Sequence, residues 1–246
     1  MNIILTKDYA ELSKAAYQII EETIKNNQKA VINTTTGASY DGMFELLVEA
    51  INQDKLVIDQ SVFTNLDEYV AKRDQSFTVY TYMHEKFYNL IKTKPSYIGL
   101  MDGSTNDPQA EIDRYNDVLS NYPRDLQIVG LGVNGHLAAN EPGTSFDSRL
   151  FLADSDYSTI QSTMSYQNLS PEETPTQMLS MGLADIMEAK HILVASSGIR
   201  KAQAVKDTLE GPINEDCPAS ILQNHPNVTF IMDEAAASLL KKTTVK

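Results

Sequence analysis

Two kinds of apolar patterning alternate along almost the whole chain, one with helical spacing and one made of short continuous runs. Residues 8–27 place Leu12, Ala15, Ala16, Ile19, Ile20 and Ile24 on one helical face, with Asp8 positioned to cap the first turn. Ala30-Val31-Ile32-Asn33-Thr34 then predicts a strand, Thr36-Gly37-Ala38-Ser39 a turn, and 40–53, with Phe44, Leu46, Leu47, Ala50 and Ile51, a second helix. A strand at Val62-Phe63-Thr64-Asn65-Leu66 runs on into Asp67-Glu68-Tyr69, and helical stretches near 77–91 and 108–121 bracket a short strand at Tyr97-Ile98-Gly99-Leu100. The run from Leu126 to Gly132 is continuously apolar apart from Gln127, the pattern of a strand buried on both faces. After a long loop come a helix at about 175–188, a strand at 191–196, helices near 200–210 and 218–224, and a strand at 228–232.

Strands alternating with helices imply right-handed crossovers and an α/β fold: a doubly wound, mostly parallel, Rossmann-like sheet with helices on both faces. No repeat, low-complexity linker or composition shift marks a boundary, so residues 1–246 read as one domain. Ligands bind beyond the carboxyl ends of the strands in such sheets, which directs attention to the residues that follow each strand.

Charge narrows the partners. With 20 Lys+Arg against 33 Asp+Glu the formal charge is −13, which disfavours nucleic acid and anionic membrane surfaces. The single cysteine, Cys217, cannot form an intrachain disulfide, the Met1–Asp8 segment is too short an apolar run for a signal peptide, and no stretch has the length of a membrane span. A cytoplasmic location is expected. No Cys/His cluster, H-E-x-x-H or aspartate-rich loop is present, so no metal is expected.

Four strand ends carry candidate chemistry. The turn with Thr36, Gly37 and Ser39 precedes a helix, where free N–H groups can hold a phosphate or merely form an ordinary capped turn. Asp67 follows an apolar strand, either as a general base or as a solvated turn residue. In 130–142 (GLGVNGHLAANEP), Gly130, Gly132 and Gly135 satisfy G-x-G-x-x-G, yet Pro142 and Gly143 follow in a polar loop where a dinucleotide site needs a helix. The glycines read instead as a tight turn beneath His136, a proton-exchanging side chain with Glu141 near enough to orient it. Lys201, after the 191–196 strand, could neutralise an anion or be a plain surface lysine. His84, His191 and His225 read as structural.

The segment GLGVNGHLAANEPGTSFDSR (130–149) resembles the signature of the glucosamine-6-phosphate deaminase/isomerase family, and the Thr36-Gly37 turn, Leu66-Asp67-Glu68-Tyr69 and Gly198-x-x-Lys201-Ala202 recur in that family's order. Related 6-phosphogluconolactonases share the Gly-His core but continue into a Leu-Phe-Pro-Gly stretch, where this chain has Asn140-Glu141-Pro142-Gly143. The resemblance implies an enzyme that opens the ring of a 2-amino-2-deoxyhexose 6-phosphate, shifts a proton from C2 to C1 and releases ammonia, leaving a ketose 6-phosphate. It implies Asp67 as the C2/C1 proton shuttle, His136 with Glu141 for ring opening, and Thr36, Gly37, Ser39 and Lys201 as the phosphate anchor, with no cofactor. A lactonase-like hydrolase and a non-catalytic sugar-phosphate sensor are the alternatives, and a homo-oligomer remains open.

The chain departs from the family pattern in four places. Asn134 stands where many relatives have aspartate; an asparagine can orient His136 but cannot carry charge, so no charged dyad is expected there. Gly37-Ala38-Ser39-Tyr40 replaces Gly-Gly-Thr-Pro, 161–166 lacks a phosphate-binding arginine, and the basic residues of allosteric members are missing near Phe151 and Ala153, which predicts no such activation. With Met181-Gly182-Leu183-Ala184-Asp185-Ile186, these departures resemble the branch that includes galactosamine-6-phosphate deaminase/isomerases.

Overall fold

In the computed structural model, which describes residues 1–155, 160–161, 164–165 and 168–244, the continuous apolar runs form the centre of a seven-stranded parallel sheet. Its strands are β1 (Asn2–Thr6), β2 (Val31–Thr34), β3 (Val62–Asn65), β5 (Tyr97–Gly99), β6 (Leu126–Gly130), β9 (Ile192–Ser196) and β10 (Val228–Asp233), in the order β1-β10-β9-β6-β2-β3-β5. The mostly parallel α/β class expected from the alternation is therefore what the chain adopts. Winding proceeds outward from β2 through β3 to β5, then resumes on the other side with β6, so the topological switch lies between β2 and β6.

The apolar runs are continuous because alternate residues serve two cores. In β9, Leu193 and Ala195 join one cluster with Ile32, Phe63 and Ile128, while Ile192 and Val194 join the other with Val129, Phe230 and Met232. The first cluster is covered by α1 (Tyr9–Asn26) and α2 (Asp41–Asn52), the second by α4 (Pro108–Asn121), α5 (Leu183–Ile186) and α6 (Ala202–Glu210). Helix α1 buries Leu12, Ala16, Ile20 and Ile24 at the predicted spacing, and Asp8 caps it by accepting from the Glu11 N–H at 3.0 Å.

Several expectations need correction. The helix expected at 175–188 is instead strand β8 (Gln177–Ser180) followed by the short α5, with the extended Gly182 between them. A side chain at Gly182 would lie 2.1 Å from the Ser148 carbonyl oxygen, so glycine is required where the chain turns under the 148–149 backbone. Strand β8 pairs antiparallel with β4 (Asp67–Tyr69) and with β7 (Phe151–Asp154), an element in the stretch expected to be loop, and the three form a second small sheet. The single strand expected over 62–69 thus divides at Leu66, passing from one sheet to the other. Residues 77–91 form only α3 (Val79–Met83) and a wider π turn at His84–Tyr88, and 218–224 is a 3-10 helix begun by Pro218. A 3-10 turn, Ile199–Lys201, precedes α6, so Lys201 sits at the helix start rather than inside it. The edge strand β1 had no sequence expectation at all. The arginine-free stretch 161–166 lies in part outside the described residues. Among the described residues, no helix is long and apolar enough to cross a membrane.

Candidate active site

Each residue of interest sits where a parallel strand stops. Beyond β2 the backbone of 35–39 crosses the switch point before α2 begins, with Gly37 at φ +124°, a conformation that favours glycine. The backbone N–H groups of Thr36, Gly37, Ala38 and Ser39 have no protein partner among the described residues. They edge a cavity of about 360 Å³ that Asp67, Gly130, Gly132, His136, Arg200 and Lys201 also line. Six of the eight residues singled out from the sequence, Thr36, Gly37, Ser39, Asp67, His136 and Lys201, thus share one wall-to-wall space.

The glycine-rich loop beyond β6 folds back on itself. The Gly132 N–H donates to the His136 carbonyl at 2.9 Å, and Leu131 and Leu137 form an antiparallel bridge, so the imidazole stands directly over Gly132. A side chain at Gly132 would lie 2.4 Å from that ring. Glu141 lies behind it, with Oε2 3.2 Å from His136 Nδ1. Asn134 does not line the main cavity. It donates to Glu141 Oε2 at 2.8 Å and accepts from the His136 backbone N–H at 3.2 Å, so it fixes both partners of the pair from outside. No helix follows this loop, in keeping with the rejection of a dinucleotide fingerprint.

Asp67 reaches the cavity from the small sheet, where it pairs with Ser180. Ser180 Oγ also accepts from the Ala139 N–H at 3.2 Å, and Asn140 Nδ2 donates to the Met181 carbonyl at 2.9 Å, so the end of β8 holds both Asp67 and the histidine loop. Burial pushes the Asp67 carboxyl up to about 7, with nearby His136 pulling the other way. Its neighbour Glu68 turns away from the cavity and accepts the N–H groups of Tyr69, Val79 and Tyr80 at 2.8, 2.8 and 2.7 Å, which ties β4 to the start of α3. Burial raises that carboxyl to about 7 as well, against the three N–H groups. Lys201 donates from Nζ to the Leu131 carbonyl at 2.5 Å, and burial together with adjacent Arg200 lowers it to about 8.

Residue-by-residue reasoning missed part of the wall. Tyr69, Phe77, Tyr82, Ala138 and Met178 line the cavity, with Tyr69 and Phe77 edge to face at 5.7 Å, and Arg200 brings a second cation beside Lys201. Arg200 was visible next to Lys201 after a strand, whereas Met178 enters on β8 of the second sheet and Phe77 from the turn before α3, packed on Tyr69 of β4, placements that carry no local signal. The other histidines are engaged elsewhere: His84 packs on Tyr80, His191 bonds Thr229, and His225 bonds the Ala189 carbonyl. Among the described residues, no group of three His, Cys, Asp or Glu side chains is placed to hold a metal ion.

The fold and this site place the chain among α/β proteins that build an acid–base cavity at a topological switch point. More particularly, it belongs to the family of glucosamine-6-phosphate isomerases and 6-phosphogluconolactonases, whose model matches residues 7–231. It is 42% identical over 242 residues to a glucosamine-6-phosphate deaminase of Lactobacillus delbrueckii subsp. bulgaricus, covering 98% of this chain and 100% of that one. A solved monomeric glucosamine-6-phosphate deaminase superposes with a TM-score of 0.93 at 36% identity, over 97% of this chain and all of that one. The 6-phosphogluconolactonase of Trypanosoma brucei shares the fold at 19% identity, with a TM-score of 0.78 and 98% of each chain covered.

Proposed function

We propose that this protein is an amino-sugar-phosphate deaminase/isomerase, converting a 2-amino-2-deoxyhexose 6-phosphate and water to the ketose 6-phosphate and ammonia. One observation carries the reading: a buried carboxyl near neutrality, Asp67, and a carboxylate-backed imidazole, His136, share a cavity edged by unpartnered N–H groups and a lysine. The 6-phosphate sits at the 36–39 turn, against those N–H groups and the Lys201 and Arg200 cations. His136, oriented by Glu141 and Asn134, moves the proton between the C1 hydroxyl and the ring oxygen as the ring opens. Asp67 takes the C2 proton, giving an enolamine, and returns it to C1. The resulting C2 iminium adds water and expels ammonia. An acid–base group with a pKa near 7 is matched to taking up and giving back one proton, and each such group contributes roughly 10²–10⁴-fold. No step changes oxidation state overall, so the scheme asks for no cofactor.

The whole chain, residues 1–246, acts in this proposal as one sugar-phosphate domain in the cytoplasm. Purified protein is incubated separately with glucosamine 6-phosphate, galactosamine 6-phosphate and 6-phosphogluconolactone, reading ammonia, ketose phosphate and lactone opening. Ammonia and ketose from an amino sugar are expected, and the two rates decide the epimer. Lactone opening without ammonia would overturn the proposal in favour of a hydrolase, and ligand-induced stabilisation without turnover in favour of a sensor. Asp67→Asn is expected to abolish ammonia release while leaving sugar-phosphate binding within a few-fold.

A further inference from the structure

Tyr40 is fully buried, yet it ends the turn that edges the cavity. Its hydroxyl donates to the Val129 carbonyl at 2.7 Å and accepts from the Ala195 N–H at 2.8 Å. These belong to adjacent strands β6 and β9, paired with Gly130 opposite Ala195. The Gln127 N–H bonds the His191 carbonyl, and the parallel alternation that follows sets the Val129 carbonyl facing the Ala195 N–H. A side-chain oxygen therefore takes part in the last backbone rung before the two strands separate.

What lies past that rung is the site. From β6 the chain continues through Gly130, Leu131 and Gly132 to His136, and from β9 through Ser197 and Gly198 to Lys201, whose ammonium holds the Leu131 carbonyl at 2.5 Å. The backbone of Tyr40 closes the turn by donating to the Gly37 carbonyl at 2.9 Å and starts α2 by accepting from the Phe44 N–H at 3.0 Å. One residue thus joins the turn at 36–39, the strand end leading to His136 and the strand end leading to Lys201.

We propose that Tyr40 is a positioning residue that sets the spacing between the anion-binding turn and the histidine loop through its hydroxyl in the β6–β9 ladder. The inference rests on the deaminase reading for its kinetic consequence and on geometry alone for its structural one. Without the hydroxyl, the Ala195 N–H and the Val129 carbonyl still find each other, so the strands close up and little stability is lost. The phosphate end then stays anchored while the imidazole shifts relative to the sugar, and a misplacement of about 1 Å costs on the order of 10²-fold in rate.

The test is Tyr40→Phe, which removes one oxygen and keeps the ring. With glucosamine or galactosamine 6-phosphate, whichever the wild type turns over, kcat is expected to fall about 10- to 100-fold. Inhibition by inorganic phosphate, which reports the turn with Lys201 and Arg200 and not the distance to the imidazole, should change less than about three-fold, and Tm should fall by only about 2–4 °C. A kcat within two-fold of wild type overturns the proposal, as does a loss of rate accounted for entirely by a smaller folded fraction. If the Phe variant does not fold, 3,5-difluorotyrosine placed at position 40 keeps the hydroxyl and weakens it as an acceptor; an unchanged kcat then overturns the proposal. A wild type that releases no ammonia counts against the deaminase reading alone. The spacing is then judged by crystal structures of both forms, in which the distance from the Val129 carbonyl oxygen to the Ala195 nitrogen must shorten in Tyr40→Phe, and an unchanged distance refutes it.

Discussion

Asp67→Asn should make this protein more stable at pH 8 while removing its activity. An aspartyl carboxyl in the unfolded chain ionises at 3.8, whereas in the folded protein burial raises Asp67 to about 7. Between those values the unfolded chain has released a proton that the native state still holds, so native stability falls as pH rises through the window and stays low above it. A difference of about 3 pKa units corresponds to a ceiling of about 4 kcal/mol. The asparagine amide escapes that cost but buries its own polar groups against imperfect partners, at about 1–2 kcal/mol. The net gain at pH 8 is then roughly 2 kcal/mol, or about 4–8 °C in Tm for a chain of this size. At pH 5 only about 1.6 kcal/mol of the ionisation penalty remains, and the two proteins should melt together. Scanning calorimetry of both at pH 5 and pH 8 decides it. A wild type as stable as the variant at pH 8, or a gap equal at both pH values, would refute the argument that the proposed proton carrier is held against its own ionisation.

The other expectations concern single contacts. Lys201 is lowered to about 8, so its charge is present below that pH and lost above it; kcat/KM should decline above about pH 8, and Lys201→Met should raise KM and flatten that limb of the profile. Glu68→Gln cannot accept the Tyr69 N–H and both N–H groups at the start of α3, which should cost about 2 kcal/mol, lower Tm by several degrees, and raise KM as the Phe77 and Tyr82 wall loosens. Gly132→Ala drives a methyl against the His136 ring, and steady-state assays should show kcat reduced at least about 10²-fold with the protein still folded. Glu141→Gln should lower kcat on the order of 10²-fold with phosphate inhibition unchanged, because the carboxylate touches the imidazole and not the anion turn.

Much of the large sheet was legible because its strands are apolar on both faces and its helices on one, and neither pattern depends on distant partners. The same logic hid the small sheet. Strands β4, β7 and β8 are three or four residues long, and 175–188 has helical periodicity until Gly182 interrupts it, so only antiparallel pairing with β4 and β7 settles the state of 177–180. At the candidate site, the rule that polar residues directly after strands come first led to Asp67, His136 and Lys201, which the fold brings to one cavity. Asn134 could be recognised as uncharged support for His136, but its place outside the cavity follows from how the loop folds back. Tyr40 stood out only as a departure in a turn motif. Nothing local indicates that a tyrosine oxygen enters a ladder between residues 129 and 195.

The division of the chain at Leu66 means that the two groups proposed to move protons are mounted on different sheets. Asp67 rides on a three-stranded cover and His136 on the loop of the main sheet, and the end of β8 at Ser180 and Met181 is the joint between them. Substitutions in β7 and β8 can therefore retune the distance between carboxyl and imidazole without altering either residue. Strands β7 and β8 hold none of the groups proposed to move protons, and they are the layer in which selection could adjust the fit to one epimer or another while Asp67 and His136 themselves stay unchanged.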